Sequence, residues 1–423
     1  MRHPLPRYVL PDTAAVGRDG RLSVGGVDVL DLVEEHGTPL FVYDEAHLRA
    51  RCREAVAAFG EGVAYGSKAF LCTAMARLVH EEGMRVDVAT GGELHVALAA
   101  GVPPERIVLH GNNKSLDELR TAHELGVRVV VDSFDELARL QMLHDEDGLA
   151  TRVMVRVTPG VEAHTHEYVM TGQVDSKFGL GLASGDAGRA VEHAQLHPAF
   201  DLVGLHAHIG SQIFQLRSFE KAVDMLAGFV APLGLEELCL GGGLGVPYVE
   251  GEAAPSITEW ADVLHAACKS AGITAHVTVE PGRAIAATAG MTLYRVGTIK
   301  DIPDVRTYVS VDGGMSDNPR PVLYGSGYET FLPRSTLADR PRSVTVVGKH
   351  CESGDIVVRD GRVPADLAVG DVLCTPVTGA YGHSMASNYN KVPRPPVVFV
   401  ADGHARVVVR RETLDDLLRL DKL

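Results

Sequence analysis

The stretch Ile107-Val-Leu-His-Gly-Asn-Asn-Lys-Ser115-Leu-Asp-Glu-Leu-Arg-Thr-Ala-His-Glu-Leu125-Gly-Val-Arg-Val-Val-Val131 holds a strand, a polar loop, a helix and a second strand in direct succession. Ile107–Leu109 and Val127–Val131 are short β-branched runs, and Ser115–Leu125 between them is amphipathic at helical spacing. The same alternation extends both ways. Upstream, Asp44 can cap a helix whose Leu48, Cys52, Val56 and Phe59 share one face, followed by strand-like runs at Val63–Lys68 and Val86–Ala89. Downstream come Val153–Val157, Leu202–His208, Leu238–Leu240 and Ala275–Val279, with amphipathic stretches such as Phe134–His144 and Ile257–Ala271 between strands. Eight strands alternating with helices predict a (β/α)8 TIM barrel. A doubly wound open sheet is the alternative that periodicity leaves open.

Position argues for the barrel. Barrel chemistry gathers where strands end and loops to the next helix begin. Those ends read Lys68, His110-Gly-Asn-Asn, Asp132, Arg156, His208, Gly241-Gly-Gly and Glu280-Pro-Gly-Arg. After about residue 291 the pattern changes to strand-like runs (Met291–Ile299, Tyr308–Val311, Val344–Val347, Val397–Val400, Val407–Arg410) separated by turns rich in Gly, Pro, Asp and Asn. The expected organisation is therefore a barrel over residues 41–290 and a C-terminal β-domain over 291–423. Residues 1–40, with strand-like Leu22–Val24 and Val27–Leu30, are expected to pair with the latter.

The 423 residues are 45% hydrophobic and 22% charged, ordinary values for a globular protein, and the net charge of -15 argues against nucleic acid, whose phosphates require a basic surface. No window approaches the run of about 20 apolar residues that a membrane helix needs. Met1-Arg-His-Pro-Leu-Pro-Arg has no apolar signal core, and the six scattered cysteines form no zinc-finger or thioredoxin spacing. A reduced cytoplasmic protein is expected.

Each motif has a plain structural alternative. Lys68, in Ala64-Tyr-Gly-Ser-Lys-Ala-Phe, is expected to lose solvation at its strand end, which favours the neutral amine that a Schiff base needs; otherwise it is a lysine reaching out to water. The Gly241-Gly-Gly-Leu-Gly and Glu280-Pro-Gly-Arg loops suit a phosphate, because glycines let backbone amides approach an anion; taken singly, each is a tight turn. A carboxylate at Glu280 can keep a pyridine nitrogen protonated, or it can pair with Arg283. His206 and His208 lie on one strand face. One is expected to stack on an aromatic cofactor and the other to pack in the core, although a metal site drawing on His110 and Asp132 is a rival. Cys351, in Cys351-Glu-Ser-Gly-Asp, is a candidate acid or a simple buried thiol. His164 and His166 are read as surface or packing residues.

Taken in order, these motifs resemble the fold-type III pyridoxal-phosphate decarboxylases, the family of ornithine, lysine and diaminopimelate decarboxylases, and within it the diaminopimelate branch. The likeness runs from Phe41-Val-Tyr-Asp to Arg410-Arg-Glu-Thr. It includes Tyr65-Gly-Ser-Lys-Ala-Phe, Gly91-Gly-Glu-Leu, His110-Gly-Asn-Asn-Lys-Ser, Ser176-Lys-Phe-Gly, His208-Ile-Gly-Ser-Gln and Gly379-Ala-Tyr-Gly. It implies an alanine-racemase-like barrel with a β-domain, pyridoxal 5'-phosphate as cofactor, and a homodimer whose subunits complete each other's sites. It further implies Lys68 as the residue that carries the cofactor, His208 on its ring, and Ser211, Gly243, Glu280, Pro281, Gly282, Arg283 and Tyr381 around it. Cys351, from the other subunit, is implied as the proton donor, and Arg283, Arg320, Tyr324, Glu352 and Tyr381 as substrate contacts. The implied reaction converts meso-2,6-diaminopimelate to L-lysine and carbon dioxide, with no metal. Relatives acting on carboxynorspermidine, ornithine, lysine or a carrier-bound amino acid are the alternatives. A racemase is disfavoured because Glu280 favours a protonated ring nitrogen; a metal-dependent hydrolase and a non-catalytic homologue are the readings from other classes. At Gly382-His383-Ser the chain has a histidine where the family often has an aromatic residue.

Overall fold

Pleated strands expose alternate residues to opposite faces, so a closed ring of strands must divide its sequence between interior and helix-facing positions. The computed structural model, which describes residues 5–160 and 175–422, shows such a ring; His164 and His166 lie outside the described residues. Strands β1 (Ala64–Gly66), β2 (Arg85–Val88), β3 (Ile107–Leu109), β4 (Arg128–Val131), β5 (Thr151–Thr158), β6 (Phe200–His206), β7 (Glu237–Cys239) and β8 (His276–Thr278) pair in that order, each parallel to the next. Hydrogen bonds from Ala64 N to Val279 O (3.0 Å) and from Gly66 N to Pro281 O (3.2 Å) close the circle. The open-sheet alternative fails on those two bonds, because an open sheet has two unpaired edges.

The helices between strands start where local chemistry stops the backbone. Ser115 and Ser256 each accept a backbone N–H three residues on, while Glu118 and Glu259 reach back to cap them reciprocally. Asp44 Oδ1 accepts from His47 N at 3.1 Å at the head of helix Glu45–Phe59, as the sequence predicts.

Strand ends differ from expectation at two places that matter. β1 stops at Gly66, and Lys68 rides a short 3-10 turn, Ser67–Ala69. β6 stops at His206, so His208 lies in the following turn rather than on the same strand face.

Inside the ring the two-residue period stacks three layers. Arg85, Arg128 and Glu237 form a charged floor: Glu237 accepts from Arg128 at 2.8 Å, from Arg85 at 3.1 Å and from Thr278 Oγ1 at 2.9 Å. Two residues further along the strands, Val108, Val130, Met154, Val203 and Cys239 make a buried apolar layer. Above them Asp87, His110, Asp132, Arg156, His206 and Glu280 lie at the rim, all nine-tenths or more buried.

This barrel unit comprises Arg51–Gly245 and Ala254–Ala284; the residues before Arg51, Val246–Ala253 and the chain from Ile285 onward form a second compact unit. Leu40–Asp44, expected at the start of the barrel, instead pairs antiparallel with Gly290–Ile302 and parallel with Val397–Ala401 in the second unit. All five of its residues are buried, in a strand flanked on both sides in the sheet. That sheet also contains Arg306–Val311, Arg342–Val347, Ile356–Val363, Val372–Pro376 and His404–Val409. Ile356–Val363 escapes sequence reading because Arg359-Asp360-Gly361 interrupts its apolar run. Near the N-terminus, Ala15–Val16, Leu22–Val24 and Val27–Asp28 pair with one another as a separate small sheet within the same compact unit as the large one.

Replacing Glu237 with Ala leaves two largely buried guanidinium groups without their carboxylate and is expected to cost about 3–5 kcal/mol. The check is a lower urea midpoint at unchanged slope; a shift worth under about 1 kcal/mol would show that the floor is not held by this ion network.

Candidate active site

The rim of the barrel centres on a buried carboxylate. Glu280 follows β8, and its Oε1 and Oε2 lie 2.9 Å from His110 Nε2, just after β3, and 2.9 Å from His206 Nε2, at the end of β6. Burial alone would raise the pKa of Glu280; the two imidazoles, His110 foremost, outweigh it and hold the group well below the usual carboxylate range. His206 is pushed down to about 4, burial prevailing over the attraction of Glu280, so it stays neutral and donates its Nε2–H. Glu280 is thus ionised. Arg283, the partner weighed for it from sequence, donates from Nη2 to Ser211 Oγ at 2.9 Å.

His110 continues the network to Asp87 Oδ1 at 3.6 Å, and Asp87 Oδ2 lies 3.8 Å from Lys68 Nζ. The expectation that Lys68 is desolvated does not hold: its side chain is 54% exposed, because the turn after β1 lifts it off the strand end. Its electrostatic setting comes instead from Asp87, a residue that sequence reading missed because an acid within a strand looks like an ordinary exposed residue.

His110, His206 and Glu280 also bring three ligand atoms within 4.8 Å of one another, a grouping that shares His110 and His206 with the sequence rival but takes Glu280 in place of His208 and Asp132. Asp132 turns elsewhere and accepts from Gly179 N. His208 is held by Gly242 N, which donates to its Nδ1 at 3.2 Å, and burial, followed by the charges of Lys68 and Arg156, keeps its ring neutral.

The glycine loops pack to the limit of backbone approach. Gly243 has φ +110°, and a Cβ there would sit 2.3 Å from Gly210 O. A Cβ on Gly282, which follows Pro281, would sit 2.5 Å from Gly66 O. Ser211, Gly243 and Arg283 thus converge beside a neutral imidazole face and an ionised carboxylate. Each oxygen of Glu280 retains acceptor capacity beyond its one histidine, enough to take a further N–H from a pyridinium ring. This donor set fits pyridoxal phosphate: amides, a hydroxyl and a guanidinium for the phosphate, Glu280 for the ring nitrogen, Lys68 for the aldehyde carbon.

In the second unit, Cys351 and Glu352 are exposed on the turn after Arg342–Val347. Asn390 Oδ1 lies 3.3 Å from Cys351 N and 3.2 Å from His350 Nδ1, while Asp355 accepts from His350 N at 2.9 Å and from Met315 N at 2.7 Å. Asp355 closes the Cys351-Glu-Ser-Gly-Asp motif, whereas Asn390 lies 39 residues from Cys351 and carries no sequence signal. Tyr381 adopts φ +59°, a left-handed conformation rare for a side chain of its size. Arg320 begins the short helix Arg320–Tyr324 and is 4% exposed; Tyr324 is partly exposed. His383 packs edge-on to Phe41 with ring centroids 5.7 Å apart, and burial lowers it to about 4, so a neutral imidazole fills the place of an aromatic ring.

His206 sets a testable acid dependence. Its folded value of about 4 lies below the ordinary 6.5, so its contribution to stability is complete above pH 6.5 and lost as pH falls towards 4. The span corresponds to about 3 kcal/mol. Thermal unfolding midpoints should fall across that window, and His206→Gln, which keeps an N–H donor without a basic nitrogen, should flatten the fall; an unchanged slope would assign it to another group.

Comparison with known proteins accords with this geometry. The description "Pyridoxal-dependent decarboxylase, pyridoxal binding domain" matches residues 45–287. The chain is 49% identical to diaminopimelate decarboxylase of Mycobacterium tuberculosis over 95% of each chain, and 45% identical to that of Bacillus subtilis over 97% of this chain and 98% of the other. The crystal structure of diaminopimelate decarboxylase from M. jannaschii in complex with L-lysine superposes with a TM-score of 0.90 at 34% identity, covering 97% of this chain and 98% of that one. With a closed barrel, a pyridoxal-type donor set and full-length likeness of this degree, the chain belongs to the diaminopimelate decarboxylase family of pyridoxal-dependent decarboxylases.

Proposed function

We propose that the protein decarboxylates meso-2,6-diaminopimelate at its D-centre to give L-lysine and carbon dioxide, as the last step of lysine synthesis. The observation that carries the substrate choice is Arg320. It is a buried guanidinium with no carboxylate within ion-pairing distance among the described residues, and it donates one hydrogen bond, to the Tyr328 hydroxyl. A guanidinium has five N–H donors, and a buried one without an anion is costly, so the group suits the second carboxylate of a diamino diacid. A diamine-forming decarboxylase would have no use for it.

When bound, pyridoxal phosphate supplies the electron sink for the breaking carbon–carboxylate bond. Lys68 would hold the cofactor through its amine. Glu280, held ionised by His110 and His206, keeps a proton at the ring nitrogen. His208 offers a neutral face, while Ser211, Gly243 and Arg283 bind the phosphate, with Pro281 and Gly282 shaping the loop. Cys351 gives the proton to the carbon that has lost carbon dioxide, Glu352 takes the far amine, and Tyr324 and Tyr381 line the substrate with Arg283. In this reading Cys351 and Glu352 act across a homodimer, and the enzyme works in the cytoplasm; no described helix is long and apolar enough to cross a membrane.

Cofactor-loaded protein should release carbon dioxide from meso-diaminopimelate with L-lysine as product, and not from ornithine, lysine or carboxynorspermidine offered separately. Release from one of the latter would keep the barrel chemistry and overturn the substrate. Lys68→Ala should lose the visible absorbance of the lysine-bound cofactor; its persistence would sink the role given to Lys68.

A further inference from the structure

Arg320 does not stand alone. Its guanidinium carbon lies 4.2 Å from the ring centroid of Tyr248 and 5.5 Å from that of Tyr328, and its Nη1 donates to the Tyr328 hydroxyl at 2.5 Å. The two rings meet edge to face, with centroids 5.3 Å apart and planes at 83°. All three side chains are 4% exposed. Tyr248 sits just beyond the glycine-rich loop, in the segment Val246–Ala253, and Tyr328 lies four residues past the end of helix Arg320–Tyr324.

Such a cation can be held in two ways. A protein carboxylate would neutralise the charge and occupy the donor fork, leaving an incoming carboxylate to compete for it. Aromatic faces attract the cation through their quadrupoles and restrict its orientation while taking up no N–H donor. Here the second arrangement is present. The Tyr328 hydroxyl takes one of the five donors, leaving two on one edge available for bidentate contact with a planar carboxylate. Removing a ring would let the long side chain sample other rotamers, so the cost would fall on recognition of the anion rather than on the fold.

We infer that Tyr248 and Tyr328 are positioning residues that clamp Arg320 as a preformed receptor for the far carboxylate of the substrate, and so set the preference for a diamino acid over the corresponding diamine. The inference rests on the proposed role of Arg320 as a substrate contact. It assigns Tyr248, from a segment that carries none of the expected site residues, to the specificity of the reaction.

The test uses two ligands that differ by one carboxylate, L-lysine and 1,5-diaminopentane, as competitive inhibitors of diaminopimelate decarboxylation by the cofactor-loaded enzyme. The readout is the ratio of their inhibition constants. Tyr248→Leu should reduce the preference for L-lysine roughly ten- to thirtyfold through loss of the desolvated cation–π contact. Tyr328→Phe should reduce it about tenfold through loss of the hydroxyl that accepts from a charged donor. Tyr248→Phe, which keeps the ring, should retain the wild-type ratio. In every variant the constant for 1,5-diaminopentane should stay unchanged, which a merely structural defect would not allow. If Tyr248→Leu and Tyr328→Phe keep the wild-type ratio, or weaken both ligands together, while Arg320→Ala abolishes the preference, the clamp is wrong and Arg320 keeps its role. If Arg320→Ala itself leaves the ratio intact, the underlying substrate assignment fails.

Discussion

A carboxylate can be buried only where something else neutralises or hydrogen-bonds it, and Glu280 imposes that condition on the barrel. Its two oxygens meet imidazoles from opposite parts of the rim, a hydrogen bond with His206 at the end of strand six and a close ion-pair contact with His110 after strand three. Those histidines can converge only if the ring is closed and its strands are staggered so that residues after β3, at the end of β6 and after β8 reach one level. The closing bonds from Ala64 and Gly66 to the chain after β8 are therefore part of the site as well as of the fold.

The same period of two explains how one strand serves both stability and chemistry. Arg128 joins the floor, Val130 the apolar layer and Asp132 the rim, each two residues from the last. The apolar layer separates two charged networks that would otherwise share water and counter-charges. Below it, Glu237 satisfies Arg85 and Arg128; above it, Lys68, Asp87, His110, Glu280 and His206 form a chain of titratable groups. The neutral state of His206 follows from this separation, since dry surroundings disfavour a second buried positive charge.

The second unit solves a different problem, that of holding reactive groups on turns. Asn390 and Asp355 bind the backbone around Cys351, and two tyrosine rings hold Arg320 without cancelling its charge. In both cases the supporting group leaves the functional atom free to meet a ligand. Glycine loops serve the same end in the barrel, where Gly243 and Gly282 bring backbone against backbone closer than any side chain permits.

The amino-acid sequence by itself determined the succession of strands and helices, the glycine loops, the residues at strand ends and the change of character near residue 291. These are local properties: β-branched runs, helical spacing and turn chemistry act over a few residues. Family motifs in the same stretches brought Lys68, Glu280, Arg320 and Cys351 into view. Only the tertiary structure decided ring closure, the membership of Leu40–Asp44 in the second unit's sheet, and the partners of Glu280. The same holds for the solvent exposure of Lys68 and the tyrosine rings around Arg320. Each of those depends on side chains far apart in the chain meeting at a distance of a few ångströms, and no local rule states which acid, histidine or aromatic ring the fold will bring to that point.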